Sequence, residues 1–202
     1  MEFSQQKRQN VKFNKIMLVA AAAGLCAASQ AMAVDVRPHY KVGFDGGGDK
    51  LATVVFTDGT HENIKANAGI FFGGGMSIVN DSKSVEGELA ITYKVDDITA
   101  SNGDVTWSRW PIDALAFYRW NKVRLGGGLT YHINPKLSGS GVASGINLTF
   151  KDSLGYLLQA DWRITEKMNL GARYTMLDYG LSGSTTSKVH SNGLGIVFSG
   201  SF

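Results

Sequence analysis

Among 202 residues there is one cysteine and there are only three prolines. The cysteine, Cys26, lies in an N-terminal stretch that reads as an export signal, so the mature chain is expected to have no disulfide and no thiolate metal site. Leu25 stands where a lipoprotein signal needs a small residue directly before the cysteine, which argues against lipidation. Long hydrophobic runs are missing too. No stretch after residue 33 approaches eighteen consecutive apolar residues, which excludes a helical membrane span. Charge of one sign is also lacking once the leader is set aside. Lys7, Arg8, Lys12 and Lys15 are four of the 20 basic residues and Glu2 is one of the 17 acidic ones, so sixteen of each remain. A chain with no net charge offers no electrostatic footprint for nucleic acid.

The leader is assigned on its own pattern. Its basic segment runs into the apolar stretch 16–28 and ends at Ala31-Met32-Ala33, where the small residues Ala31 and Ala33 suit a signal peptidase. Residues 1–33 are therefore expected to be a cleavable signal and residues 34–202 one mature domain. Export without disulfides points to the periplasm or outer membrane.

Beyond the leader, segments of about ten residues alternate apolar and polar side chains, the period of a strand with two unlike faces. Met168, Leu170, Ala172, Tyr174 and Met176 interleave with Asn169, Gly171, Arg173 and Thr175. Val123, Leu125, Leu129 and Tyr131 likewise oppose Arg124, Thr130 and His132. This pattern predicts eight strands, at 36–45, 68–79, 84–97, 105–120, 123–134, 154–165, 168–180 and 193–202. The connections at 80–83, 121–122 and 166–167 are tight, whereas 46–67, 98–104, 135–153 and 181–192 are mostly longer and rich in Gly, Ser, Thr and Asn. An even strand number with alternating short and long connections is the pattern of a transmembrane barrel with short periplasmic turns and longer outer loops. The expected fold is all-β, an eight-stranded antiparallel up-and-down transmembrane β-barrel.

A soluble lipocalin-type barrel would alternate as well. The aromatic residues decide between the two. Tyr40, Phe44, Phe72, Tyr93, Trp110, Tyr118, Trp120, Tyr131, Tyr156, Trp162, Tyr174, Phe198 and Phe202 share the apolar face, many near strand ends where lipid headgroups lie. The last strand, Leu194 to Phe202, finishes on an aromatic and resembles the terminal signature read by the barrel-assembly machinery, with Phe198 and Phe202 on one face. Gly200 departs from the bulky residue usual at the third position from the end. The whole mature chain resembles the small outer-membrane β-barrel domain shared by OmpA-, OmpX- and OmpW-like proteins. The stretch Arg124-Leu125-Gly126-Gly127-Gly128-Leu129-Thr130-Tyr131-His132-Ile133-Asn134-Pro135 is similar to uncharacterised proteobacterial members. The resemblance to OmpA is to its barrel alone.

On this reading Arg37, Lys41, Lys94, Arg109, Arg119, Arg124, Arg163 and Arg173 share the lumen with Glu86, Glu88, Asp113 and Asp161. An eight-stranded barrel is only wide enough for its own side chains, so these groups are expected to form a paired ion network. His39 and His132 fall at lumen positions and His61 in the first outer loop, with no spacing that suggests a metal site. His190-Ser191-Asn192 is similar to the His-x-Ser-Asn motif of lipid A deacylases, but here His and Ser are adjacent and in a strand would point to opposite faces. The glycine clusters at 46–48, 73–75 and 126–128 lack the Lys-Ser/Thr of a phosphate loop. Inward glycines instead leave room for large neighbours across a tight lumen. Asp45 and Asp49 flank the first cluster and suggest a polar loop or a weak calcium site. Residues 53–60 are strand-like and end in an Asp58-Gly59 turn, which predicts a hairpin projecting from the membrane.

The expected function is non-enzymatic: an envelope structural or surface-interaction protein whose outer loops set specificity. The alternatives are a narrow OmpW-like channel for small apolar or small polar solutes and, behind it, a lipid A-modifying enzyme. No cofactor or metal is expected. The expected partners are outer-membrane lipid and lipopolysaccharide, the barrel-assembly machinery and a surface ligand, with the protein a monomer.

Overall fold

The computed structural model describes residues 35–56, 58–183 and 187–202. The expected leader, with Ala31 and Ala33, lies outside the described residues. Eight strands close the barrel: β1 (Asp35–Gly47), β4 (Gly69–Val79), β5 (Val85–Ala100), β6 (Gly103–Trp120), β7 (Val123–Gly139), β9 (Ser153–Arg163), β10 (Met168–Met176) and β13 (Gly193–Ser201). All pairings are antiparallel, β1 joins β13, and the β6–β7 ladder completes the ring. Five shorter strands lie outside the eight: β2 (Lys50–Val55), β3 (His61–Lys65), β8 (Asn147–Thr149), β11 (Asp178–Gly180) and β12 (Lys188–His190).

Strand β6 shows how sequence alternation becomes architecture. Its residues Trp110, Tyr118 and Trp120 are exposed on the lipid side, while Val105, Trp107, Arg109, Asp113, Leu115 and Phe117 are buried in the interior. The interior is therefore layered along this one strand, from an apolar outer end through a charged middle to a second apolar layer. Leu115, Phe117 and Leu157 form that second layer. Its rings need glycine opposite them. A Cβ on Gly126 would sit 2.3 Å from the Phe117 ring, and one on Gly43 would sit 2.3 Å from the Phe71 ring. The glycines so make the notches into which the aromatic side chains fit.

The strands run further out than alternation alone predicts. β5 and β6 extend to Ala100 and Gly103 and leave only a tight connection, so the expected loop 98–104 is mostly strand. β7 continues to Gly139 through a bulge, where Asn134 takes a left-handed conformation (φ 51°) and Pro135 follows. The extra residue reverses the facing of the strand and turns Leu137 into the interior. At the other side the predicted strand 168–180 is broken. β10 stops at Met176, and Asp178–Gly180 leaves β13 to pair with β12.

The outer connections fold into a second tier. β2 and β3 form the hairpin around Asp58-Gly59, with Gly59 at φ 83° and Asp58 Oδ1 accepting the Thr60 N–H at 2.9 Å. β8 pairs with the end of β7, Phe150 bridges Leu181, β11 pairs with β12, and Asp49 N–H donates to the His190 carbonyl at 2.7 Å. β3 in turn lies against β5. The tier thus continues around the barrel mouth and encloses a core of its own, made of Ile64, Ala66, Ile98, Val105, Trp107, Leu137, Phe150, Leu177 and Tyr179.

Candidate functional site

Beneath this apolar cap the lumen holds two groups of ion pairs. The lower one centres on Arg124, whose Nε donates to Asp161 Oδ2 at 2.7 Å and whose NH1 lies 3.0 Å from Glu86 and 3.2 Å from Glu88. Arg119 Nε sits 2.8 Å from the other Glu86 oxygen, and Lys41 pairs with Glu88. Gln159 steadies Asp161 with N–H donors at 2.9 and 3.0 Å. Three carboxylates thus meet three cations, which is what keeps charges this deep from being prohibitive.

The upper group centres on Asp45. Arg173 approaches it with Nε at 3.0 Å and NH2 at 2.8 Å, and Lys94 donates to the same carboxylate and to Asn67. Arg173 NH1 also reaches Asp113 at 3.4 Å, and Thr130 Oγ1 donates to Asp113 at 2.6 Å. Both central arginines stack on the aromatic layer, Arg124 at 3.9 Å from the Phe117 ring centroid and Arg173 at 4.0 Å from that of Phe71. A fork-shaped cation with an aromatic under its flat face is held in one orientation, which lysine could not match.

Ten of the twelve residues expected in the lumen occupy these groups or the layer above them. Arg109 is the one above, buried, donating to the Ala68 carbonyl at 2.7 Å with its guanidinium 5.0 Å from the Trp107 ring centroid. Two sit elsewhere. Arg37 pairs with Asp35 at the periplasmic rim, and Arg163 donates to the Asn121 carbonyl in the β6–β7 turn. Both lie at the first or last turn of a strand, where an inward position opens onto water. Asp45 needs the opposite correction. It belongs to no loop and no calcium site, being fully buried as the hub of the upper group. Continuing the alternation of Lys41 and Gly43 by one step would have placed it there.

The cap is built around Trp107 and Tyr179. Their rings meet edge to face at 5.5 Å, and Phe150 meets Trp107 at 5.2 Å. Trp107 Nε1 donates to the Ala66 carbonyl at 3.0 Å, tying β6 to the end of the first hairpin. Tyr179 descends from the fourth connection, and its hydroxyl bonds His132 Nδ1, close to the Arg109 charge. Burial pushes the Tyr179 phenol up to about 12, so it stays neutral and can donate. No signal in the sequence pointed to this cap, because it assembles from four connections distant along the chain. His190 and Ser191 do point apart: His190 is exposed and Ser191 fully buried. On the outer surface the His190 Nδ1–H donates to Asp178 Oδ1 at 2.7 Å, and this bond raises the imidazole above its usual value. Asp49 accepts the His190 backbone N–H at 2.8 Å.

At the membrane surface the thirteen aromatic residues of the apolar face all turn away from the lumen; Tyr40 clusters there with Phe198 and Phe202 at 6.2 and 5.7 Å. A closed eight-stranded antiparallel barrel with an apolar, aromatic-flanked exterior and a charged interior is a small outer-membrane barrel. The chain belongs to the outer membrane protein β-barrel domain family, whose model matches residues 17–202, and it resides in the outer membrane. No curated protein matches it. Among solved structures it is similar to Ail, the attachment invasion locus protein of Yersinia pestis, at 14% identity and a TM-score of 0.51, covering 83% of this chain and 96% of that one. It is also similar to Neisserial surface protein A (15%, 0.46, covering 84% and 99%) and to OprG from Pseudomonas aeruginosa (15%, 0.38, covering 84% and 95%). At these identities the likeness is one of fold.

Proposed function

We propose that this barrel does not conduct and serves as a structural or surface-interaction element of the envelope, its specificity set by the folded outer tier. The observation that carries this reading is the double closure: two ion-pair groups fill the lumen and the Trp107–Phe150–Tyr179 core covers its outer mouth. A tier that is itself laddered and cored presents a preformed surface, which lowers the ordering cost of binding. Its exposed charges favour acids, with Asp49, Asp58, Glu62, Asp97, Asp152 and Asp178 against Lys50, Lys65, Lys151 and Lys188. Ail was crystallised with the heparin analogue sucrose octasulfate. The acidic excess here argues for a neutral or cationic surface ligand instead. The opposed directions of His190 and Ser191 support the non-enzymatic reading. Planar-bilayer recordings of the refolded protein test the proposal: no stepwise current is expected, and a reproducible one that depends on the outer connections would replace it with the channel reading.

A further inference from the structure

The periplasmic rim divides its charges unevenly, and one sector of it is cationic. β7 and β9 are neighbours, with Val123 opposite Trp162, so the β6–β7 and β9–β10 turns lie side by side. Arg163 N–H donates to the Lys122 carbonyl at 2.7 Å, and the Arg163 side chain donates to that of Asn121. Asn121 itself takes a left-handed conformation (φ 52°) that closes the turn and leaves Lys122 exposed. Lys167 follows in the next turn, also exposed, its carbonyl accepting the Ser201 N–H at 2.8 Å. The acid of that turn, Glu166, is exposed at the lumen mouth, where its charge acts on Arg37, and among the described residues no ion pair joins it to these three cations. Elsewhere on the rim, Asp35 pairs with Arg37 and Asp81 shares a turn with Lys83.

Directly beside this sector the lipid-facing wall carries two tryptophans. Trp120 is 74% exposed and Trp162 is 56% exposed. Trp120 precedes the β6–β7 turn by one residue and Trp162 precedes Arg163, which sets both indoles at the level where acyl chains give way to headgroups. The Asn121 carbonyl holds the guanidinium of Arg163 in place while its remaining N–H groups stay available. A fixed fork of donors suits a phosphodiester, and two mobile lysines add charge around it.

We propose that this sector, Trp120, Lys122, Trp162, Arg163 and Lys167, binds the headgroup of an anionic phospholipid in the periplasmic leaflet. The phosphate lies against Arg163 and the lysines, and the indoles pack on the glycerol and upper acyl chains. A zwitterionic headgroup brings its own cation and gains less from three unanswered positive charges.

Native mass spectrometry tests this on the refolded full chain released from bilayers of equal phosphatidylglycerol and phosphatidylcholine. Wild-type protein is expected to retain phosphatidylglycerol in preference. The doubly substituted Lys122→Gln/Lys167→Gln protein is expected to lose that preference by about fivefold for each lysine, about twenty-fivefold in all. Lys50→Gln/Lys188→Gln, on the outer tier, should retain it. Both pairs are exposed, and heat-modifiable gel mobility verifies that each variant is folded. Equal retention of the two lipids by the wild type, or an undiminished preference in the Lys122/Lys167 variant, would overturn the assignment.

Discussion

Asp45→Ala is expected to destabilise the folded barrel by about 3–5 kcal/mol, far more than the volume it removes would suggest. Asp45 is fully buried and accepts from both Lys94 and Arg173. Without it Lys94, Arg109 and Arg173 are left with Asp113 and the partly buried Asp96 as counter-charges. The loss comes from the cations left behind rather than from the missing carboxylate. Removing Lys94 together with it, as Asp45→Leu/Lys94→Met, leaves the Arg173–Asp113 pair balanced and is expected to recover most of the stability. Urea unfolding in lipid vesicles measures both, with the unchanged slope verifying that the same surface is exposed. A single-variant loss under about 1 kcal/mol would show that water reaches this layer and that the pairs are not interdependent.

Trp107→Ala is expected to cost a similar amount, about 3–5 kcal/mol, but in a different part of the molecule. Trp107 is wholly buried among Phe150, Tyr179 and Arg109, and its indole N–H satisfies the Ala66 carbonyl. Its loss empties the centre of the tier and orphans that carbonyl, while the lipid-embedded ladders below remain paired. The expected result is a barrel that keeps its heat-modifiable mobility yet loses protection in its outer connections. Because the ion-pair groups below the cap still fill the lumen, no ionic current should accompany the change. Full unfolding of the strands would mean that the cap and barrel fold as one unit.

The barrel was legible because its physics is periodic. A strand between lipid and a packed lumen must alternate, so Val123 to His132 or Met168 to Met176 announce their faces residue by residue. The same rule found most of the buried charges. It failed in two ways, each with a physical cause. At strand ends inward parity no longer means burial, and Arg37 and Arg163 turn to the rim; at Asp45 an adjoining glycine run looked like loop although the strand continues to Gly47. The cap was beyond reach for another reason. Trp107 stands at the outer end of β6 while Phe150 and Tyr179 come from separate connections, and the bulge at Asn134-Pro135 that turns Leu137 inward breaks the strand periodicity. Composition showed loops rich in Gly, Ser and Asn, but not that they share a core.

That shared core is the point on which the proposed function rests, and amide hydrogen exchange of the wild-type protein in lipid tests it most directly. Three amides report on the tier without belonging to the barrel ladders: Ala66, bonded to the Asp49 carbonyl at 2.8 Å, Phe150, bonded to that of Pro135 at 2.9 Å, and Ser191, bonded to that of Leu177 at 2.7 Å. A folded cap predicts that all three exchange slowly, as a cooperative group, and that the hairpin tip at Gly59 exchanges fast. Exchange of Ala66, Phe150 and Ser191 at the rate of the hairpin tip would mean that loose loops surround an uncovered mouth, and would contradict the closed barrel described above.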